Sequence, residues 1–126
     1  MNWLVNQANV TSANRFGISG KVDISLRMDQ VEVFKALSNK TRLQILNWLK
    51  QPEASFPEQA VYGYAHGICV GQIQQKAGLT QSTVSEYLST LQRVGLVKAT
   101  RVGQWTYYQR NEEAFSELST IIQSEI

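Results

Sequence analysis

Gly71 to Val97 reads GQIQQKAGLTQSTVSEYLSTLQRVGLV, and its pattern decides the fold. A short helix gives way to a tight turn at Ala77-Gly78-Leu79, a longer helix follows, and Gly95 stops it. Two helices joined this way make a helix-turn-helix, the unit that lays its second helix in the major groove of DNA. In that second helix Val84, Leu88 and Leu91 recur at i, i+4 and i+7, so one stripe faces a core. The opposite face carries Ser82, Glu86, Ser89 and Arg93, flanked by Thr83 and Ser85. A helix built only for solvation would carry more Glu and Lys there. Short hydroxyl side chains instead allow close backbone approach and can donate to phosphates or base edges.

Directly after it, Val97-Lys98-Ala99-Thr100-Arg101 and Trp105-Thr106-Tyr107-Tyr108-Gln109 are β-prone runs joined at Val102-Gly103-Gln104, a hairpin signal. Arg101, Gln104 and Arg110 lie near or beyond the ends of that hairpin, where side chains can reach phosphate or the minor groove. The predicted fold is therefore mainly α with a small β-hairpin, a winged helix-turn-helix. Charge follows the same division. Between Gly78 and Arg110 four bases (Arg93, Lys98, Arg101, Arg110) face one acid, Glu86, whereas residues 111–126 hold Glu112, Glu113, Glu117 and Glu125 and no base. The whole-chain charge of +2 says little about nucleic acid, but its local placement does.

The rest of the 126 residues fits one domain of ordinary size preceded by an extension. Residues 1–27 are that extension, and within it Lys21 to Arg27 alternates strictly, with Val22, Ile24 and Leu26 on one side, which predicts a strand over 21–27. Residues 28–126 are expected to form the winged helix-turn-helix DNA-binding domain. Met28 to Leu37 reads as a first helix with Val31 and Phe34 on one side. Ser38 is the expected N-cap of a second helix, Asn39 to Lys50, whose Leu43, Ile45, Leu46 and Leu49 point to the core and which Pro52 ends. Residues 51–66 read as a long loop with Pro57, Tyr62 and Tyr64, a length often tied to function. Glu112 to about Ser124 is a final helix, its acids favourable at the N-terminal end of the dipole and its apolar stripe made of Phe115, Leu118, Ile121 and Ile122.

With a single cysteine, Cys69, no intramolecular disulfide can form, and a reducing interior is the natural setting. The N-terminus lacks a basic run followed by a long apolar segment, so neither a secretory signal nor a membrane span is expected, and the expected location is cytoplasmic. No phosphate loop or zincin motif occurs, and the one conventional nucleophile–base pair, His66 and Cys69, has no orienting acid near it in sequence. An enzyme is not expected, nor is a cofactor.

Three blocks carry a family likeness. Phe34-Lys35-Ala36-Leu37-Ser38-Asn39-Lys40-Thr41-Arg42-Leu43-Gln44-Ile45-Leu46 resembles the opening helices of ArsR-type winged-helix repressors. Leu79 to Leu88 resembles their recognition helix with Gly95-Leu96-Val97 as its exit, and Arg101 to Tyr108 resembles their wing. The likeness covers about residues 28–125 in the same order. It implies a homodimer, paired through the first and last helices, that binds a double-stranded DNA operator as a repressor released by a chemical signal. The inducer is not legible. Two recognition helices about 34 Å apart would then read successive major-groove faces. The alternative is a winged-helix module that binds protein and not DNA, with Glu86 marking the lost DNA face. Gln81, Ser82, Thr83 and Ser85, with the arginines of the wing, argue against it.

On this reading Gln81, Ser82, Thr83, Ser85, Glu86, Arg101 and Gln104 contact DNA, while Phe115, Leu118, Ile121 and Ile122 form the dimer interface. The chain departs from the family in places. Many metal sensors of this type carry Cys-x-Cys before the turn, where Ile68-Cys69-Val70-Gly71 keeps the first cysteine and has glycine at the second. The last helix lacks the His and Asp ligands of the other common site. A thiolate site for a soft metal is thus weakened, no metal is expected, and Cys69 with His66 remains a candidate sensing pair set against a plain structural role. Glu86 and Tyr87 stand where histidines are common in the family. An acid there repels phosphate but accepts from a cytosine amino group, which implies a different operator preference.

Overall fold

A computed structural model describes residues 28–126. The strand expected over 21–27 lies outside the described residues. The chain divides into two compact units, with Val31–Asn111 as one and the terminal segment Glu112–Ile126 in the other.

In the larger unit, α1 (Gln30–Leu37) and α2 (Lys40–Lys50) come first. The buried face of α1 is Val33 and Ala36; the expected Val31 is 62% exposed, so the stripe is turned from the one read in sequence. A sparse apolar pattern over eight residues leaves two faces nearly equivalent, and packing chooses between them. The N-cap of α2 is Asn39, not Ser38: the Asn39 side chain accepts from the Arg42 amide at 2.9 Å, while Ser38 Oγ donates back to the Phe34 carbonyl at 2.9 Å. Both residue types suit the cap, and the extended backbone of Asn39 decides it. Ile45, Leu46 and Leu49 are buried as expected, but Leu43 is half exposed.

Residues 51–66 are not a plain loop. They hold a one-turn helix, α3 (Pro52–Ser55), and a 3₁₀ turn at Pro57–Val61, each opened by proline. Proline is favourable there because its missing N–H is one that a helix start leaves unbonded anyway. Phe56 between the two turns is buried and meets Trp48 of α2 edge-on, ring centroids 6.1 Å apart.

A short strand, β1 (Ile68–Cys69), leads straight into α4 (Val70–Ala77), then α5 (Gln81–Arg93), β2 (Val97–Val102) and β3 (Trp105–Arg110). The sheet is antiparallel in the order β1-β3-β2, with Ile68 opposite Tyr108 and Val97 opposite Arg110. β1 was not read from the sequence, since two residues show no alternation. Ile68, Ile73, Val84, Leu88, Leu91, Leu96 and Val97 are all buried, which seats the helix-turn-helix and the base of the wing in one core.

In the second unit, α6 (Glu112–Glu125) buries Ala114, Leu118 and Ile121 and leaves Ile122 48% exposed. No helix among the described residues is long and apolar enough to cross a membrane.

Candidate nucleic-acid interface

The helix-turn-helix is assembled from α4, a three-residue turn and α5. Gly78 ends α4 in the left-handed region at φ 69°, donating its amide to the Gln74 carbonyl. A side chain there would be strained, so glycine is the residue that lets the chain reverse. Thr80 then caps α5, its hydroxyl accepting from the Thr83 amide at 3.2 Å and lying 2.9 Å from the Thr83 hydroxyl. This bond fixes the first turn of α5, where Gln81, Ser82 and Thr83 stand.

Exposure follows the expected split of α5. Val84, Leu88 and Leu91 are fully buried, whereas Gln81, Ser82, Glu86, Ser89 and Arg93 are exposed and Thr83 and Ser85 are partly so. Exposed polar groups of α5 thus occupy one continuous surface, with hydroxyl and amide donors at its N-terminal end. Glu86 is the one acid on it.

The wing is a two-residue hairpin in which Val102 pairs with Trp105 and Gly103 takes φ 63°. Glycine first in a two-residue loop suits the right-handed twist of the strands. The strands each run one residue longer than the sequence suggested. Arg101 and Gln104 are exposed, and Arg101 Nε donates to the Gly103 carbonyl at 3.0 Å, which holds the guanidinium beside the tip. Arg110 lies at the other end of β3, opposite Val97, and is half-buried. Trp105, 54% exposed at the same tip, was not singled out from sequence as a contact. Lower in the sheet Tyr108 is half-buried, and burial pushes its phenol above the ordinary tyrosine value.

The segment before the reader is pinned by a residue the sequence reading missed. Gln59 is 1% exposed; its amide Nε2 donates to the Gly63 carbonyl at 3.2 Å and its Oε1 accepts from the Cys69 amide at 3.4 Å. Tyr64 donates its hydroxyl to the Phe56 carbonyl at 2.7 Å. Desolvation, with the carboxylates of Glu53 and Glu58, raises the Tyr64 phenol above the ordinary tyrosine value. A lone Gln among polar neighbours gives no signal in sequence that it turns inward.

The candidate sensing residues are placed less suggestively. Cys69 is half-buried and sits at the N-cap of α4 without a side-chain cap bond. His66 is exposed, its ring 6.0 Å from that of Tyr107. Among the described residues no group of three or more His, Cys, Asp or Glu could hold a metal ion. On α6, Leu118 and Ile121 of the expected dimer stripe are already buried in the single chain. Phe115, Leu118, Ser119, Ile122 and Gln123 line a shallow open groove of about 310 Å³ along that helix.

Comparison with known proteins agrees with this geometry. Residues 64–101 match the profile of the IclR helix-turn-helix domain. The chain is 51% identical over 100 residues to the HTH-type transcriptional regulator YbzH of Bacillus subtilis, covering 79% of this chain and 100% of YbzH. It is 29% identical over 102 residues to ArsR2 of Halobacterium salinarum, a candidate arsenical resistance operon repressor, covering 81% and 76% of the two chains. Among solved structures, the homodimeric winged helix-turn-helix DNA-binding domain of Mb0332 from Mycobacterium bovis, a candidate ArsR-family regulator, superposes with a TM-score of 0.53. It is 32% identical, with 75% of this chain and 74% of that chain covered. The fold and these likenesses define a winged helix-turn-helix transcriptional regulator rather than an enzyme. The chain belongs to the ArsR-type regulators of that class.

Proposed function

We propose that the protein is a homodimeric repressor that reads a double-stranded operator with α5 and the wing, and that a chemical signal releases it. The observation that carries this is the exposed polar surface of α5, held on a fully buried Val84-Leu88-Leu91 stripe and continued by Arg101 and Gln104 at the wing tip. Gln81, Ser82, Thr83, Ser85 and Glu86 then face the major groove. Arg101 and Gln104 lie on the backbone or in the minor groove. The homodimeric Mb0332 domain supports pairing, and the exposed Ile122 with the half-exposed Phe115 offers an apolar edge for it.

The two kinds of contact are separable by mutation. Arg101→Ala should weaken binding to all duplexes alike and lower the slope of log affinity against log salt by about one, the signature of one lost phosphate contact. Glu86→Gln should leave the slope nearly unchanged and shift which operator sequence is preferred, because a carboxylate reads bases by accepting hydrogen bonds. Fluorescence anisotropy across a salt series and a set of operator variants checks both. If neither variant differs from the unaltered protein, the assignment fails.

Cys69 is assigned a structural role, since its thiol caps nothing and a single cysteine per chain has no resolving partner within it. Cys69→Ser should keep operator affinity within about threefold and cost at most about 1 kcal/mol of stability. Zinc or arsenite should not release the unaltered protein from DNA. Metal-driven release that disappears in the serine variant would make Cys69 a sensor.

A further inference from the structure

Arg42 sits where three helices meet. Its Nε donates to the carbonyl of Ala36 and its Nη2 to that of Lys35, at 2.6 and 3.1 Å. Those carbonyls belong to the last turn of α1, where backbone acceptors have no partner inside the helix and the dipole is negative. The backbone amide of Arg42 is the donor to the Asn39 cap that starts α2. Its guanidinium carbon lies 5.5 Å from the ring centroid of Tyr87 on α5, within cation–π range.

Tyr87 stands between Glu86, on the reading surface, and Leu88, in the core. The buried stripe of α5 limits how far the helix lifts off the core. It limits less well how the helix rolls about its axis, because aliphatic side chains can repack with small changes of angle. A ring on the flank of α5, held by a guanidinium that is itself fixed by two charge-assisted bonds, opposes that roll. Lysine could not reproduce the arrangement, since a single ammonium lacks the planar fork that engages two carbonyls while facing a ring.

We infer that Arg42 is a positioning residue for operator reading: it ties the C-terminal end of α1 to Tyr87 and so sets the angle at which α5 presents its polar surface. Arg42 touches no DNA in this role. A change in the position of α1 would reach α5 through this side chain. The inference rests on the proposed DNA-reading function and adds the device that orients the reader.

The test is a double-mutant cycle measured on DNA binding. Arg42→Met, Tyr87→Leu and the double variant are compared with the unaltered protein on a specific operator and on a scrambled duplex, with Tm recorded for each. Each single variant should lose about tenfold in operator affinity while scrambled-duplex affinity changes less than about twofold, so the specificity ratio falls. The double variant should be no worse than either single one. Tyr87→Phe, which keeps the ring, should bind as the unaltered protein does, and Arg42→Lys should behave like Arg42→Met. Losses that multiply in the double variant, or a fall in both affinities that tracks Tm and is repaired by an uncharged stabilising osmolyte such as sucrose, would show mere structural support and overturn the inference. Should Arg42→Met not fold, the contrast between Tyr87→Phe and Tyr87→Leu decides alone, equal operator affinity counting against the tie. Failure of the unaltered protein to prefer any operator would overturn the functional reading and this inference together.

Discussion

If the chain pairs as proposed, Ile122→Glu should leave it a monomer and lower operator affinity by about a hundredfold or more, with little change in the fold of the single chain. Ile122 is 48% exposed and lines the α6 groove with Phe115, so a carboxylate there meets water in the monomer and a desolvated apolar surface in a dimer. Operator affinity depends on both heads because the second one binds at the high effective concentration that the first creates. Deleting residues 112–126 is a poorer test, since it also removes the buried Ala114, Leu118 and Ile121. Sedimentation at micromolar concentration, with circular dichroism as the control for folding, reads the result. A variant that stays dimeric and binds normally would move the interface away from this edge of α6.

Leu88→Ala should cost far more stability than any truncation on the exposed face of α5. Leu88 is 0% exposed at the centre of α5, between Val84 and Leu91 and beside a core that also buries Ile73 and Leu96. Truncating it removes transfer energy and leaves a cavity, together about 2–5 kcal/mol. That is a sizeable share of the roughly 5–15 kcal/mol by which domains are stable. Tm should fall by about 10 °C or more, and operator binding should fall with it as the reading surface loses its support. Leu88→Met, close in volume, should cost less than about 1.5 kcal/mol. Thermal unfolding followed by circular dichroism separates the two, and equal Tm values for Ala and Met variants would contradict the packing described.

These effects sit in the part of the chain that was most legible. The reader and wing could be read from residues because each local signal agrees with the fold: a glycine where φ is positive, a threonine where a helix begins, apolar spacing of period 3.6 in α5. The errors fall where a signal has two equivalent readings. Ser38 and Asn39 are adjacent residues of equal capping ability, and only the backbone around them chooses. The apolar residues of α1 and α6 suggest a stripe, but sequence cannot divide it between the inside of one chain and the surface offered to a second. Leu118 and Ile121 went inward and Ile122 stayed out. The 51–66 segment hides its two short turns because Pro52, which does end α2, also opens α3, and Pro57 opens the 3₁₀ turn. Gln59 and the Arg42–Tyr87 contact depend on residues distant in sequence, which no periodicity reports.

The central claim is that α5 and the wing read DNA sequence, and a direct binding titration tests it. A labelled duplex from the promoter region upstream of the protein's own gene is compared with a scrambled duplex of equal length, at several salt concentrations. The predicted result is nanomolar binding to the promoter duplex, at least about a thousandfold tighter than to the scrambled one near physiological salt, with affinity falling steeply as salt rises. Equal weak binding to both duplexes, or no binding at low salt, would contradict the account and leave the winged helix as a protein-binding module.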